Sequence, residues 1–276
     1  IVTIRPRWEG GFSDHPESRR GAMLEAAMEA GAEYIDIELL ACEKSRAMRD
    51  ALSDAAEKNG ARMIVSSHSF GDRPADLRER LTRLRAISAA RILKIAWKAE
   101  SLLDGFEALQ MMARRPANDS RPVLALAMGE EGMVSRLLAQ KFGAPFTFAA
   151  AARGQESAPG QPTAAELRRV YRWDTQNAGT RVFGVVGWPV GHSLSPHIHN
   201  AGFAAAGVNA VYVSLPVQPT AEAFTAAMNA FAGLTEMPDG EGTARGVSVT
   251  IPHKEHAFRY AVERGATIDA VTRGLG

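Results

Sequence analysis

Apolar and polar positions along the chain follow two alternating patterns. Short runs rich in β-branched residues are separated by longer segments in which Ala, Leu, Glu and Arg recur at helical spacing. A strand recurs about every 30 residues, which is typical of βαβ units with parallel strands and right-handed crossovers. Six strands are predicted in the first part of the chain: residues 1–4, 34–39, 63–67, 92–96, 123–127 and 146–149.

Helices are predicted between these strands at residues 19–30, 44–57, 74–87 and 101–113. A closed barrel of this type needs eight βα units. The pattern therefore predicts an α/β fold, an incomplete (β/α)8 TIM barrel with about six of its eight units over residues 1–172. The chain begins without methionine inside the apolar run Ile1 to Ile4 and stops abruptly at Gly276, so we expect a fragment cut at both ends.

A polar stretch at residues 173–180 has the composition of a linker and predicts a domain boundary. Beyond it, the pattern of strands alternating with helices resumes. The predicted strands are 182–186, 211–215 and 247–251, and the predicted helices are 196–206, 220–231 and 254–264. We predict a second, partial α/β domain over residues 181–276.

Composition and charge narrow the classes of function. The chain is 46% hydrophobic, which is ordinary for a globular protein. Its 32 Lys and Arg nearly balance its 31 Asp and Glu, so no overall field favours nucleic acid or an anionic membrane. No apolar run approaches the roughly 20 residues that span a bilayer. The single cysteine, Cys42, suits a reducing compartment such as the cytoplasm.

Two titratable residues lie on predicted barrel strands, where catalytic groups belong at the carboxyl ends. His68 closes the run Met-Ile-Val-Ser-Ser-His, and Lys94 lies inside Ile-Leu-Lys-Ile-Ala. With a period of two, Lys94 shares a face with Ile92 and Ala96, so its amine points into the barrel if the bulkier row meets the helices. A desolvated lysine becomes a nucleophile that forms imines with carbonyl groups. For His68 alone, a structural hydrogen-bonding role is the more common alternative.

Other polar groups follow the ends of neighbouring predicted strands. Arg5 and Glu9 lie in Arg-Pro-Arg-Trp-Glu-Gly-Gly after the first strand, where a structural ion pair is an equally good interpretation. Arg136 ends Gly-Met-Val-Ser-Arg, and an arginine there can bind a substrate carboxylate through two hydrogen bonds. Ser157 and Gln161 are the donors of the loop Ser-Ala-Pro-Gly-Gln, which leads into a helix.

Taken together and in this order, the motifs of residues 1–172 resemble the type I 3-dehydroquinate dehydratase family, particularly its version fused to shikimate dehydrogenase. The resemblance implies that Lys94 attacks the ring ketone of 3-dehydroquinate, without a cofactor, and that His68 transfers protons. It also implies that Glu9 orients His68 and that Asp36 and Glu38 support Lys94 and His68. The residues implied to bind substrate are Arg5, Met128, Arg136, Phe148, Ser157 and Gln161.

The second domain carries Gly-His-Ser-Leu-Ser-Pro at residues 191–196 and Val-Thr-Ile-Pro-His-Lys at residues 249–254. Serines between a strand and a helix can donate hydrogen bonds to a carboxylate. These motifs look like the substrate-binding half of shikimate dehydrogenases. The resemblance implies that Ser193, Ser195 and Thr250 bind shikimate or 3-dehydroshikimate and that Lys254 is catalytic. It also implies that NADP belongs to the full-length parent, on a nucleotide-binding domain beyond this chain.

Several alternatives remain at this point. The histidines at 192, 197, 199, 253 and 256 lack acidic or thiolate partners at ligand spacing, so no metal site is predicted. The parent could be chiefly an NADP-dependent oxidoreductase with the barrel as a non-catalytic module, although intact Lys94 and His68 argue against this. An imine-forming aldolase would share Lys94 but would need a different substrate.

Overall fold

The computed structural model describes residues 1–114, 116–158, 161–236 and 243–269. The chain divides into two compact units. Unit 1 comprises Ile1–Lys98 and Arg115–Leu126, and unit 2 comprises Ala99–Arg114 and Ala127–Gly276. Among the helices of the described ranges, none has both the length and the apolar character that crossing a bilayer requires.

The first part of the chain contains a five-stranded sheet with the strands in sequence order. Its strands are β1 (Val2–Thr3), β2 (Tyr34–Glu38), β3 (Arg62–Ser69), β4 (Ala90–Lys98) and β5 (Val123–Met128). The pairs β1–β2, β2–β3 and β3–β4 are parallel. The helices that follow them are α1 (Glu17–Glu29), α2 (Leu39–Lys44), α3 (Arg46–Asn59), α4 (Leu77–Ala86), α5 (Leu102–Ala113), α6 (Val134–Leu137) and α7 (Ala164–Arg169). This order confirms the predicted α/β fold with a parallel sheet.

Strands β3, β4 and β5 are buried almost throughout, as expected for parallel strands that are covered on both faces. Where the sequence predicts one helix at residues 44–57, the structure has the short helix α2 followed directly by α3. Ser45 separates the two helices because its backbone is extended and its side chain caps α3. The Ser45 hydroxyl accepts a hydrogen bond from Met48 N at 3.2 Å.

The sixth predicted strand, residues 146–149, is wrong. This segment contains no strand, and within the described ranges its neighbourhood contributes one isolated bridge, between Ala150 and Thr163. Pro145 has no amide hydrogen for a ladder, and Ala150 N donates at 2.9 Å to Pro162 O rather than to a sheet strand. The sheet therefore has five strands where six were predicted.

The second sheet lies in unit 2 and has the order β7–β6–β8, with all pairs parallel. Its strands are β6 (Arg181–Gly187), β7 (Ala210–Pro216) and β8 (Ala244–Val249), and its helices are α8 (Ser195–Ala205), α9 (Ala221–Gly233) and α10 (Lys254–Glu263). Strand β8 ends two residues before the predicted end at 251. Pro252 has no amide hydrogen to extend the ladder.

Residues 173–180, which have the composition of a linker, are packed within unit 2. Gln176 and Thr180 are buried, and the Gln176 side-chain amide donates to Leu137 O at 2.9 Å and to Tyr171 O at 3.0 Å. Helix α5 also packs on α9 in this unit, with the rings of Phe106 and Phe231 6.3 Å apart. The second half of the first domain therefore shares a core with the second domain.

Candidate active site

Lys94 lies in a row of polar side chains across the middle of the first sheet. The parallel register pairs Glu38 with Ser66 and Ser66 with Lys94. Lys94 is 3% exposed, and its Nζ donates to Asp36 Oδ2 at 2.7 Å. Burial of an amine among apolar strands is costly, and Asp36 offsets that cost in the free protein. The expected contact between Asp36 and Lys94 is thus present.

His68 and Glu9 form a buried pair near the carboxyl end of β3. His68 Nδ1 lies 2.9 Å from Glu9 Oε1, and the His68 backbone amide donates to the same oxygen at 2.8 Å. The imidazole Nε2 is buried and has no hydrogen-bond partner among the described residues. The structure therefore brings Glu9 and His68 together as predicted and leaves one ring nitrogen available for a reactant.

Burial and neighbouring charges shift the pKa values of this cluster in different directions. Burial and the charge of Glu38 raise the pKa of Glu9 to about 8. Burial and the positive charge of Lys94 hold the pKa of His68 well below its usual value. Burial alone would raise the pKa of Asp36, but Lys94, His68 and Arg5 lower it to about 2. His68 is therefore neutral near pH 7 beside a carboxyl group that holds its proton unusually tightly.

The loop that carries Arg5 and Glu9 depends on its two glycines. Gly10 has a φ of 76°, and a Cβ on it would lie 2.3 Å from the Phe70 ring. A Cβ on Gly11 would lie 2.1 Å from Arg5 O, so neither position accommodates a larger residue. Arg5 Nη2 lies 3.7 Å from Asp36 Oδ2. The glycines thus fix where Glu9 meets His68.

Arg20 is a buried charged residue that the sequence does not reveal as part of this cluster. It is fully buried in α1, and its Nη2 donates to Glu38, which was expected to support Lys94 and His68. Arg20 stands four and eight residues before Leu24 and Met28, which are also buried. Its place on the apolar row of α1 is the signal that could have identified it.

In unit 2, Arg136 is the strongest candidate for binding an anion. Its side chain is 2% exposed, and burial lowers its pKa to about 10. Its Nη1 lies 3.4 Å from Phe148 O, and none of the ion pairs found among the described residues includes Arg136. A buried guanidinium with no protein carboxylate is suited to bind a carboxylate from a ligand.

Ser157 and Gln161 contact one another in the same unit. Gln161 Oε1 accepts hydrogen bonds from the Ser157 amide at 2.8 Å and from its hydroxyl at 3.1 Å. Both line a cleft of about 670 Å³ that Gly191 and His197 also line. Residues 159 and 160 of this loop lie outside the described residues.

The two predicted apolar contacts are also in unit 2. Met128 ends β5 and is 3% exposed, and its carbonyl accepts from Ala99 N at 2.8 Å. The Phe148 ring meets that of Phe146 edge to face, with centroids 5.6 Å apart. Phe148 also accepts the Arg136 hydrogen bond through its carbonyl, so these two predicted residues are neighbours.

The predicted dehydrogenase residues follow adjacent parallel strands, so their loops lie at one edge of the second sheet. Ser195 N donates to Ser193 Oγ at 3.3 Å where α8 begins. Thr250 N donates at 2.9 Å to Val186 O, at the end of β6. Lys254 begins α10 with an exposed side chain. The structure gives no contact between Lys254 and the two serines within the described residues.

No group of three or more His, Cys, Asp or Glu side chains in the described part of the chain is arranged to hold a metal ion. His253, adjacent to Lys254, is fully buried, and its Nε2 lies 2.7 Å from Val217 O. The burial of His253 is explained by its hydrogen bond to a backbone carbonyl, which is a structural role.

Comparisons with known proteins identify a family for each part of the chain. Residues 1–178 match the family model of Type I 3-dehydroquinase, and residues 185–271 match that of the Shikimate dehydrogenase substrate binding domain. The chain is 34% identical to the chloroplastic bifunctional 3-dehydroquinate dehydratase/shikimate dehydrogenase of Arabidopsis thaliana, over 100% of this chain and 42% of that protein. The chain thus spans less than half of this relative's length.

Solved structures of similar fold come from the same enzyme families. The dehydroquinate dehydratase and shikimate dehydrogenase from S. pombe AroM has a TM-score of 0.51 at 25% identity, over 93% of this chain and 45% of that one. The 3-dehydroquinate dehydratase from Geobacillus kaustophilus has a TM-score of 0.54 at 27% identity, over 62% of this chain and 65% of that one. The chain therefore belongs to the type I 3-dehydroquinase family, and its second part is similar to the shikimate dehydrogenase substrate-binding domain.

Proposed function

We propose that the chain dehydrates 3-dehydroquinate to 3-dehydroshikimate through an imine on Lys94, as a step of aromatic amino acid and chorismate biosynthesis. The observation that carries the proposal is the buried Lys94 amine in the same polar cluster as His68, whose Nε2 has no partner among the described residues. Membership of residues 1–178 in the dehydratase family supports the choice of substrate over the aldolase alternative.

In the proposed reaction, Lys94 gives up a proton, its neutral amine adds to the ring ketone, and the adduct takes the proton back as it loses water, which leaves a protonated imine. The imine withdraws electrons, so His68 can remove a proton from the adjacent carbon. The resulting enamine expels the hydroxyl group, which leaves as water after taking a proton from His68. Hydrolysis of the imine returns Lys94 and releases product, so the net change is the loss of one water.

Glu9 and His68 act as one proton-binding pair in this scheme. When the pair holds one proton, His68 Nδ1–H donates to the Glu9 carboxylate, and Nε2 is a base. When the pair holds two, Nε2 carries a proton that it can give to the leaving hydroxyl. Because burial raises the pKa of Glu9 to about 8, the second proton is held near neutral pH. Proton abstraction should therefore accelerate as pH rises through this range.

Substrate binding is assigned to the polar and apolar groups that the resemblance identifies. Arg136 and Gln161 bind the carboxylate, Arg5 and Ser157 contact the remaining polar groups of the ring, and Met128 and Phe148 pack against it. The buried, carboxylate-free guanidinium of Arg136 supports this assignment. Small-molecule substrates, rather than nucleic acid or a membrane, also fit the nearly balanced charge of the chain.

For the whole protein, we propose NADP-dependent reduction of 3-dehydroshikimate to shikimate as a second activity. Ser193, Ser195 and Thr250 would bind the substrate, and Lys254 would stabilise charge at the hydroxyl group. The nucleotide would be held by a further domain, and no residue of this chain is assigned to it. The dehydratase itself needs no cofactor. The alternative of a non-catalytic barrel is not favoured, because Lys94, His68 and Glu9 form an ordered cluster.

Cysteine content bears on the cellular location. Cys42 is the single cysteine, and it is buried, with a pKa that burial raises to about 12. A chain without disulfides suits a reducing compartment, and we infer the cytoplasm.

The decisive test is incubation with 3-dehydroquinate and borohydride, which reduces an imine to a stable adduct that mass spectrometry can locate. We expect the adduct on Lys94 and its loss, together with turnover, in Lys94→Ala. Lys98→Ala is the matched control, because Lys98 ends the same strand with an exposed side chain. An adduct on another lysine, or turnover retained in Lys94→Ala, would overturn the imine mechanism.

A further inference from the structure

Arg20 connects three elements of unit 1 through one buried side chain. Its Nε donates to Ile4 O at 2.7 Å, its Nη1 to Glu17 Oε2 at 2.6 Å, and its Nη2 to Glu38. Ile4 follows β1, Glu17 begins α1, and Glu38 ends β2. A planar guanidinium fixes such partners in a defined geometry that a lysine cannot reproduce.

The segment that Arg20 holds is the one that leads to Glu9. Strand β1 has two residues, and its register with β2 comprises Val2–Ile35 and Thr3–Asp36. So short a ladder fixes the direction of the following loop weakly. The bond from Arg20 to Ile4 O is placed where the ladder ends and the loop with Arg5 and Glu9 begins.

Arg20 also offsets the negative charge of Glu38, which acts on the Glu9–His68 pair. Glu38 is fully buried and raises the pKa of Glu9, and Arg20 lowers that of Glu38 against the effect of burial. Several other charged groups face the pair or lie on elements next to it. They are Arg5, Asp36 and Lys94 within the cluster, and Arg7, Asp14 and Lys44 at the exposed side of the loop.

We propose that Arg20 is a positioning residue of the dehydratase. Its guanidinium fixes the Ile4 carbonyl against the Glu38 carboxylate and so holds Glu9 at His68 Nδ1. Arg20 touches neither substrate nor the reacting atoms in this scheme, and it acts through Glu9. The catalytic consequence rests on the proposed function, whereas the contact between Glu9 and His68 does not.

The test compares Arg20→Met and Arg20→Lys with Arg121→Met. Arg121 is the matched control because it also binds backbone carbonyls, Ile87 O at 2.7 Å and Arg85 O at 2.6 Å, together with Asp119, in the same unit. Nitrogen-15 NMR of histidine side chains reports the tautomer of His68. Measured at a pH above the pKa of Glu9, where the pair holds one proton, we expect Arg20→Met to lose the single Nδ1–H tautomer, Arg20→Lys to keep it in part, and Arg121→Met to keep it fully.

Kinetics provide the second measurement. In Arg20→Met we expect elimination to slow at least about tenfold, since misplacement of a catalytic group by a fraction of an ångström is costly. The yield of the borohydride-trapped Lys94 adduct should be unchanged, because Lys94 is held by β4 and Asp36. Arg20→Lys should recover part of the elimination rate, and Arg121→Met should match the unmodified chain.

Glu38→Gln tests the charge separately, because glutamine keeps an acceptor for Arg20. Loss of the negative charge should move the pH at which elimination accelerates down by about one unit. The proposal is overturned if Arg20→Met retains the tautomer, or if it loses adduct and elimination equally, as a general loss of structure would. If the unmodified chain forms no adduct at all, the proposed function fails, and the tautomer measurement still decides the role of Arg20.

Discussion

Glu9 carries a proton at a pH where most carboxyl groups have lost theirs. Burial and Glu38 raise its pKa from 4.5 to about 8, so the folded chain binds this proton more tightly than the unfolded chain. The resulting stabilisation is fully present below the unfolded pKa and is lost as pH rises through the folded one. The contribution of Glu9 to stability should therefore fall between these two values.

We predict that Glu9→Gln removes this dependence on pH. The lowered pKa of His68 opposes this decline below about pH 6.5, so in the unmodified chain the free energy of unfolding should decline with a slope of up to about 1.4 kcal/mol per pH unit between about pH 6.5 and 8. Urea denaturation across this range measures the slope. Glu33→Gln, at an exposed position, should keep the decline, and an equal slope in the Glu9→Gln chain would contradict the raised pKa of Glu9.

At the residue scale, the sequence predicts those groups whose position in a strand is unusual. Lys94 interrupts an apolar run and His68 ends one, so period-two alternation indicates their direction. Arg20 could not be predicted in the same way, because an arginine in a helix is ordinarily solvated. Its partners, Ile4 and Glu38, are distant in sequence and are brought to it by the fold.

Among the elements, the loop between β1 and α1 has no room for an added methyl group at Gly11. A Cβ on Gly11 would meet Arg5 O at 2.1 Å, which the backbone can relieve only by moving. We predict that Gly11→Ala destabilises the chain by about 2 kcal/mol, as overpacking does, and slows elimination by displacing Glu9. Urea denaturation and turnover measure the two effects.

Gly71→Ala is the control for this variant. Gly71 also lies in a loop after a strand, but a Cβ there would have no atom within 4 Å. It should therefore leave stability and turnover unchanged. Equal behaviour of the two alanine variants would show that the close approach at Gly11 does not constrain the loop.

The sequence predicts a helix or strand correctly where the burial and the spacing of its apolar residues indicate the same element. It fails where individual side-chain contacts determine the structure. Strands β2 to β5 match the predicted apolar runs because parallel strands are buried on both faces. Residues 146–149 are equally apolar, yet they pack without a ladder beside Pro145. Ser45 separates α2 from α3 because its side chain caps the beginning of α3. This local signal is hard to recognise in the sequence, because residues 44–57 as a whole have helical spacing.

Across the molecule, the packing of α5 on α9 links segments more than a hundred residues apart. Phe106 is 1% exposed and Phe231 is 6% exposed at this contact. We predict that Phe231→Ala costs about 3 kcal/mol or more and that hydrogen exchange accelerates in α5 as well as in α9. Mass spectrometry of the exchanged peptides measures both helices at once.

Phe12→Ala is the comparison, since Phe12 is 92% exposed and its loss should change neither helix. If exchange in the Phe231→Ala chain accelerated in α9 alone, the two helices would not unfold together. The common core proposed for them would then be wrong.

The position of α5 has a consequence for gene fusion. The family boundary falls near residue 178, but the packing unit that includes the second domain begins at Ala99. A dehydratase joined to a different dehydrogenase by cutting at residue 178 would place α5 against side chains that differ from those of α9 in this chain. A chimera that keeps this packing would need an α5 and an α9 that fit each other, so the packing unit of this chain does not end at the family boundary.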